Sequence, residues 1–64
     1  MKVRDVIRRI EKDGWELKRQ RGSHRIYRHP NKPGTVTVTG ARNKDIPSGT
    51  LGSILWQAGL KGQK

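Results

Sequence analysis

The residues of this sequence that could take part in chemistry are two histidines and an unusually large number of arginines and lysines. His24 follows a Gly22-Ser23 pair within a basic segment, whereas His29 precedes a proline. Histidine transfers protons near neutral pH, and arginine binds anionic groups through charged hydrogen bonds. The combination indicates proton transfer on an anionic substrate, although a histidine beside a turn is more often a simple surface residue.

Other kinds of chemistry have little support in the composition. The chain has no cysteine, and its two histidines and five acidic residues are too scattered in sequence to suggest a metal site. No glycine-rich nucleotide-binding loop is present. With 64 residues, of which 30% are hydrophobic, we expect one small domain with a thin core and no room for a buried cofactor. We therefore expect neither a metal nor a cofactor.

The net charge points to the kind of partner. Fifteen Lys and Arg residues against five Asp and Glu give a formal charge of +10. Between Leu17 and Lys44 there is no acid, and the basic residues of this segment are Lys18, Arg19, Arg21, Arg25, Arg28, Lys32, Arg42 and Lys44. Such a field favours a polyanion, either nucleic acid or an acidic protein, and leaves an anionic membrane surface open. Frequent charges near the N-terminus argue against a signal peptide or membrane span, so we expect a cytoplasmic protein.

The hydrophobic periodicity predicts two helices flanking three strands. A helical stripe near the N-terminus ends at Gly14, and consists of Val3, Val6, Ile7 and Ile10. The period then changes to two, which predicts strands over 15–20, 24–28 and 35–39, joined by a Gly22-Ser23 turn and a proline-rich break at 29–34. After a polar loop over 40–46, Ser48 is the expected N-cap of a second helix with the apolar stripe Leu51, Ile54, Leu55 and Ala58. Gly59 and Leu60 match a left-handed C-terminal cap, with Leu60 folding back on Leu55.

This order predicts an α+β fold of the form α-β-β-β-α, a three-stranded antiparallel sheet with two helices on one face. We expect a single domain over residues 1–60 and a frayed C-terminal tail over 61–64. The other face of the sheet would then meet solvent or a partner.

Strand alternation predicts which side chains lie on each face of the sheet. The residues expected to point toward the helices are Trp15, Leu17, Val36 and Val38. Those expected on the open face are Glu16, Lys18, Gln20, Thr35, Thr37 and Thr39. Ile26 and Tyr27 are adjacent and must point in opposite directions. We expect the larger Tyr27 inward, which places His24, Ile26 and Arg28 on the open face; the alternative has Ile26 inward and His24 under the helices.

Several short motifs together resemble those of the HicA family, the small toxin subunits of bacterial and archaeal toxin–antitoxin pairs. Each motif is weak alone, but their order and spacing give a strong joint signal over nearly the whole chain. They are Arg21-Gly22-Ser23-His24, Tyr27, His29-Pro30, Val36-Thr37-Val38, Gly49-Thr50-Leu51 with Ser53-Ile54-Leu55, and Gln57-Ala58-Gly59-Leu60.

The resemblance implies a fold similar to double-stranded-RNA-binding domains, ribonuclease activity toward mRNA, and inhibition by a HicB-type antitoxin. It also implies that His24, which aligns with the essential histidine of the family, is catalytic. The basic residues around it then become the expected RNA-binding set, together with the turn: Lys18, Arg19, Arg21, Gly22, Ser23, Arg25 and Arg28. Whether the toxin is a homodimer or part of a larger toxin–antitoxin assembly stays open.

RNA cleavage is chemically compatible with this set of residues because RNA carries its own nucleophile. A histidine that accepts the proton of a ribose 2′-hydroxyl promotes attack on the adjacent phosphate, which yields a 2′,3′-cyclic phosphate and a 5′-hydroxyl end. No second acid or base is apparent in the sequence. His29, next to Pro30, is expected to shape the turn.

Two features depart from the patterns implied by the resemblance. The start of the final helix, residues 47–53, has no Lys or Arg, whereas double-stranded-RNA-binding domains usually place a basic cluster there. Single-stranded or locally open mRNA is therefore the better expected substrate. Trp56 stands where the HicA family often has a basic residue, and it lies off the apolar stripe of this helix, so we expect it to be exposed. Trp56 and Ile26 are candidate contacts for a partner protein, with base stacking as the second possibility for Trp56.

Overall fold

The computed structural model describes residues 1–60, and the expected tail over 61–64 lies outside the described residues. Its elements in chain order are α1 (Val3–Lys12), β1 (Glu16–Arg21), β2 (His24–Arg28), β3 (Thr35–Val38) and α2 (Ser48–Gln57). The strands form one antiparallel sheet in the order β1-β2-β3. Both helices contribute to the same core cluster as the inward side chains of the sheet. The predicted α-β-β-β-α architecture is confirmed.

The N-terminal helix is held by its apolar stripe and by the loop before α2. All four stripe residues, Val3, Val6, Ile7 and Ile10, are buried as predicted. The Asp5 carboxylate accepts a hydrogen bond of 3.0 Å from the backbone N–H of Lys2, which fixes the first turn.

The loop over 40–46, which was predicted only to be polar, forms backbone hydrogen bonds with the first turn of α1. The N–H groups of Val3 and Arg4 donate to the carbonyls of Lys44 and Arg42 at 2.9 and 3.0 Å. These bonds satisfy donors that a helix start leaves without partners. Ile46, at the end of the same loop, is buried in the core. A single apolar residue in a polar segment has no periodicity, so sequence alone gave no signal for it.

The sheet face under the helices confirms most of the predicted inward set. Trp15, Val36 and Val38 are buried, and Tyr27 lies inward on the central strand, so the alternative with Ile26 inward is wrong. Leu17 also faces the helix side as predicted, because it pairs with Tyr27, but it remains 44% exposed because β1 is an edge strand.

The two ends of α2 differ in how well they are capped. Pro47, not Ser48, is the N-cap residue, and no side chain of residues 1–60 caps the helix start. At the other end Gly59 has φ +75°, and the N–H groups of Gly59 and Leu60 donate to Trp56 and Leu55 carbonyls. This pattern is a Schellman cap, as the sequence predicted. Within residues 1–60, neither helix is long and apolar enough to cross a membrane.

The connection between β2 and β3 fastens the C-terminal ends of both helices. We call this group the helix-end clasp: Asp13, Trp15, His29, Lys32 and Ala58. The ammonium of Lys32 forms an ion pair with Asp13, the C-cap of α1, and donates to the carbonyl of Ala58, the C-cap of α2, at 3.2 Å. The indole Nε1 of Trp15 donates to the same carbonyl at 3.3 Å. A cation at two helix C-termini is favourable to both helix dipoles.

His29 occupies the centre of the clasp with both ring nitrogens in use. Nε2 donates to the Asp13 carbonyl at 2.8 Å, while Nδ1 accepts from the N–H groups of Asn31 and Lys32 at 2.9 and 3.2 Å. The ring also packs edge-on against Trp15, with centroids 5.3 Å apart. The expectation that His29 shapes the turn is confirmed.

Candidate nucleic-acid interface

The hairpin that carries His24 is a two-residue connection between β1 and β2. Gly22 has φ +59° at the first central position of the turn, which suits the type II′ hairpins that favour glycine there. A Cβ at Gly22 would meet no atom within 4 Å, so its backbone angle rather than crowding calls for glycine. The Gln20 side chain donates to the Gly22 carbonyl at 3.0 Å and braces the turn.

A β-bulge decides which basic residues share a face with His24. Leu17 pairs with Tyr27, but the next pair is Arg19 with Ile26, so Lys18 is the extra residue of the bulge. Because directly paired residues point to the same face, Arg19 and Arg21 lie on the open face with their partners Ile26 and His24.

The bulge also corrects one prediction for β1. Simple alternation placed Gln20 on the open face, but Gln20 pairs with Arg25 on the helix side. The bulge could not be read from the sequence, because residues 18–21 are all polar and no apolar alternation marks where the register shifts.

The open face places His24 beside two arginines in a shallow depression. Its lining residues are Arg19, Arg21, His24 and Ile26, and its volume is about 240 Å³. His24 is exposed. Among residues 1–60, the side chains of His24, Arg19 and Arg21 form no hydrogen bond or ion pair. The imidazole and both guanidinium groups are therefore available to a ligand.

Arg25 lies apart from the other members of the predicted RNA-binding set. It is 5% exposed and pairs with Val38 on the helix side of the sheet. Its Nη1 donates to the carbonyls of Gly40 and Ser23 at 2.9 and 3.3 Å, whereas its buried Nε has no partner among the described residues. Arg25 thus ties the hairpin turn to the end of β3, and its charge is directed away from the open face.

The remaining members of the predicted RNA-binding set lie at different distances from His24. Arg28 lies on the open face at the opposite end of β2, where it pairs with Glu16 and Thr35. The ammonium of Lys18 forms a 3.1 Å ion pair with Glu16, so it is already partly neutralised. Gly22 and Ser23 form the exposed turn directly before His24.

Among residues 1–60, no second proton-transfer group lines the depression that holds His24. Tyr27 faces the core, and burial raises the pKa of its phenol further above neutral pH. His29 belongs to the helix-end clasp at the far end of β2. Over residues 1–60, no three His, Asp or Glu side chains lie close enough together to hold a metal ion.

The two candidate partner contacts lie in different layers of the molecule. Trp56 is 72% exposed on α2, which confirms that it lies off the apolar stripe. Ile26 is partly buried on the open face of the sheet. One flat partner surface on the open face would therefore reach Ile26 but not Trp56.

A family model of the HicA toxin of bacterial toxin–antitoxin systems matches residues 3–60. The chain belongs to the HicA toxin family. The match includes both helices, the complete sheet and the hairpin that presents His24. Membership makes this protein a toxin of a toxin–antitoxin system, with a cognate antitoxin as partner. No curated protein matches the sequence closely enough to serve as a relative.

Proposed function

We propose that this HicA-family toxin is a metal-independent endoribonuclease that cleaves mRNA, with His24 as its general acid/base. The observation that supports this most directly is the position of the His24 ring. It is exposed on the open face, flanked by Arg19 and Arg21, and free of hydrogen bonds to any residue in the range 1–60. A proton-transfer group must be accessible to its substrate in this way.

The reaction begins when the neutral His24 ring accepts the proton of a ribose 2′-hydroxyl. The 2′-oxygen forms a bond to the adjacent phosphorus, and the bond from phosphorus to the 5′-oxygen of the next nucleotide breaks. That oxygen takes up a proton from solvent or from the imidazolium just formed. The products are a 2′,3′-cyclic phosphate and a 5′-hydroxyl end, so no hydrolytic water is consumed in this step.

Arg19 and Arg21 are the groups that would bind the reacting phosphate. Both lie on the same face as His24. Arg21 and His24 form the cross-strand pair that flanks the Gly22-Ser23 turn. Guanidinium groups stabilise the extra negative charge that develops on phosphate oxygens in the transition state. Arg28, at the other end of β2, would contact another phosphate further along the RNA. With one identified proton-transfer residue, we expect a slow enzyme.

The proposal is tested by incubating purified protein with RNA in excess EDTA. Wild-type protein should cleave, and His24→Ala should not, while its urea unfolding curve stays close to that of wild type. A Thr35→Ser variant, changed on the same face but at the far end, serves as the control and should cleave normally. Full cleavage by His24→Ala would refute the catalytic assignment. Salt-sensitive binding without cleavage by wild type would instead identify a non-catalytic RNA-binding module.

We further propose that the antitoxin is of the HicB type and covers the open face of the sheet. The basic side chains there offer an acidic partner a complementary surface, and a partner bound over them would exclude RNA from His24. The toxin–antitoxin complex should therefore slow hydrogen exchange in the 20–24 hairpin, and Arg21→Glu should weaken the complex. Inhibition by an antitoxin that leaves Arg19, Arg21 and His24 open to solvent would contradict this model.

A further inference from the structure

The open face of the sheet carries one apolar side chain among otherwise polar or charged neighbours. The strand residues that the pairing places on this face are Glu16, Arg19, Arg21, His24, Ile26, Arg28, Thr35 and Thr37. Ile26 is at the middle of the central strand and is partly buried by its neighbours. Ile26 therefore presents a small apolar surface at the centre of a cationic face.

The neighbours of Ile26 define a small site. Across the sheet it is paired with Arg19 on one side and Thr37 on the other, and its depression also includes Arg21 and His24. The volume of about 240 Å³ is below the range of roughly 300–1,000 Å³ that holds drug-sized ligands. A single flat ring system fits a site of this size, shape and polarity.

We propose that Ile26 forms the apolar surface of a binding site for one unstacked RNA base, next to the ribose on which His24 acts. We call this base-binding site the seat. The proposal rests on the proposed ribonuclease function for the identity of the ligand. His24 and Ile26 are two residues apart on one face, a separation of about 7 Å along the strand. One nucleotide can therefore place its base on Ile26 and its sugar beside His24.

Each neighbour has a defined role in this seat. The face of the base packs on Ile26, and the Arg19 guanidinium stacks on the base or bonds to its edge. The Thr37 hydroxyl lies on the opposite side, where it can donate to or accept from a base edge. Every base has a face that can pack on Ile26, but only an unstacked base exposes that face, so the site selects an unstacked base over a stacked one. Bases in a duplex are stacked on both faces, so the substrate class is single-stranded or locally open RNA.

Binding measurements with a non-cleaving protein test the seat directly. The probes are an oligoadenylate hexamer and a hexamer of the same backbone whose nucleotides are stable abasic analogues, so that both carry the same charge. In the His24→Ala background, the base-containing hexamer should bind about fivefold more tightly or better. Adding Ile26→Ser should remove most of this preference, and adding Ile26→Phe should increase it. Thr35→Ser, on the same face, should leave it unchanged.

Equal affinity for the two hexamers, or an Ile26→Ser variant that keeps the full preference, would overturn the seat. Because Ile26→Phe enlarges the platform rather than truncating it, its gain in preference cannot arise from partial unfolding. The result is also separable from the ribonuclease proposal. Cleavage by wild type with no base preference removes the seat alone, whereas base preference without wild-type cleavage removes the ribonuclease alone.

Discussion

The two histidines at opposite ends of β2 show how differently one residue type is used in this molecule. His29, just after the strand, has three hydrogen bonds and an aromatic contact within the helix-end clasp. His24, the first residue of the strand, has no hydrogen bond to any residue of the described chain, 1–60, and lies beside two equally unpartnered arginines. The polar groups of the helix-end clasp bond to one another and stabilise the fold. Those of His24, Arg19 and Arg21 on the open face are available to a ligand.

This contrast separates stability from function along a single strand. Where every donor and acceptor has a partner, substitution should change the free energy of unfolding. Where the groups are exposed and unpartnered, substitution should change RNA cleavage and leave the fold intact. The predictions below test that separation from the largest expected effect to the smallest.

The largest effect is expected for His24→Gln. Loss of proton transfer should reduce the cleavage rate by roughly 10²–10⁴-fold, because glutamine cannot accept the 2′-hydroxyl proton at neutral pH. The free energy of unfolding, measured in urea, should change by less than about 0.5 kcal/mol because the ring is exposed. A large loss of stability with normal cleavage per folded molecule would reverse the roles assigned to the two histidines.

His29→Ala should have the opposite outcome. It removes three hydrogen bonds, each worth about 1 kcal/mol, so the free energy of unfolding should fall by about 3 kcal/mol. Cleavage by the fraction that remains folded should stay close to wild type, since the ring is remote from the open face. Urea titration combined with rate measurements in the absence of urea separates the two quantities. Loss of cleavage without loss of stability would place His29 in the catalytic machinery instead.

Alanine substitutions at Gly14, beside the helix-end clasp, and at Gly22, in the hairpin, compare the cost in stability at the two places. Gly14 has φ +109°, and a Cβ there would lie 2.7 Å from His29 Nε2, whereas Gly22 has φ +59° and open space. Gly14→Ala should cost about 2 kcal/mol or more, and Gly22→Ala about 1 kcal/mol from backbone strain alone. Thermal or urea unfolding of both variants gives the comparison. Equal costs would show that the close approach to His29 contributes nothing.

Arg25 was predicted to bind RNA, and its buried position suggests a positioning role instead. Arg25→Met keeps the buried stem but removes the bonds to the Ser23 and Gly40 carbonyls, so the hairpin should hold His24 less accurately. We expect kcat to fall by roughly tenfold while KM changes little. Arg25→Lys should restore part of the rate. A rise in KM that depends on salt would instead support direct phosphate binding by Arg25.

The smallest effect is expected for Asp13. Its hydrogen bond to Lys32 lowers the pKa of the Asp13 carboxyl below its ordinary value of 3.8. The folded pKa is thus below the unfolded pKa, so this contribution to stability is complete above the unfolded value and is lost as the pH falls through the folded one. Wild type should lose more stability on acidification below pH 4 than Asp13→Asn does. Parallel curves for the two proteins would show that the ion pair contributes nothing.

Much of this fold could be predicted from the pattern of hydrophobic residues. The stripe of α1, the strand order, the inward direction of Tyr27 and the cap at Gly59 all follow from periodicity or local backbone chemistry. These features depend on interactions within a few residues of sequence or on one strong apolar pattern. Their physical causes are therefore visible without the tertiary structure.

The site was predicted less completely, because its arrangement depends on register. The bulge at Lys18 moves Arg19 and Arg21 to the face of His24, and the all-polar residues 18–21 give no sign of it in the sequence. Arg25 looked like its basic neighbours in sequence, yet the carbonyls it bonds come from the turn and from Gly40, fifteen residues later. Ile46 was missed for the same reason, since its burial in the core and its bond to the Met1 carbonyl come from distant contacts.

The chemistry assigned to His24 depends on the 2′-hydroxyl of the RNA, so the products of cleavage test it most directly. A short RNA with one cleavage site should yield a 2′,3′-cyclic phosphate and a 5′-hydroxyl, as identified by mass spectrometry. The same RNA with a single 2′-deoxy nucleotide on the 5′ side of that site should remain intact. Products that carry a 3′-hydroxyl and a 5′-phosphate, or cleavage of the deoxy-substituted RNA at the same bond, would contradict the account.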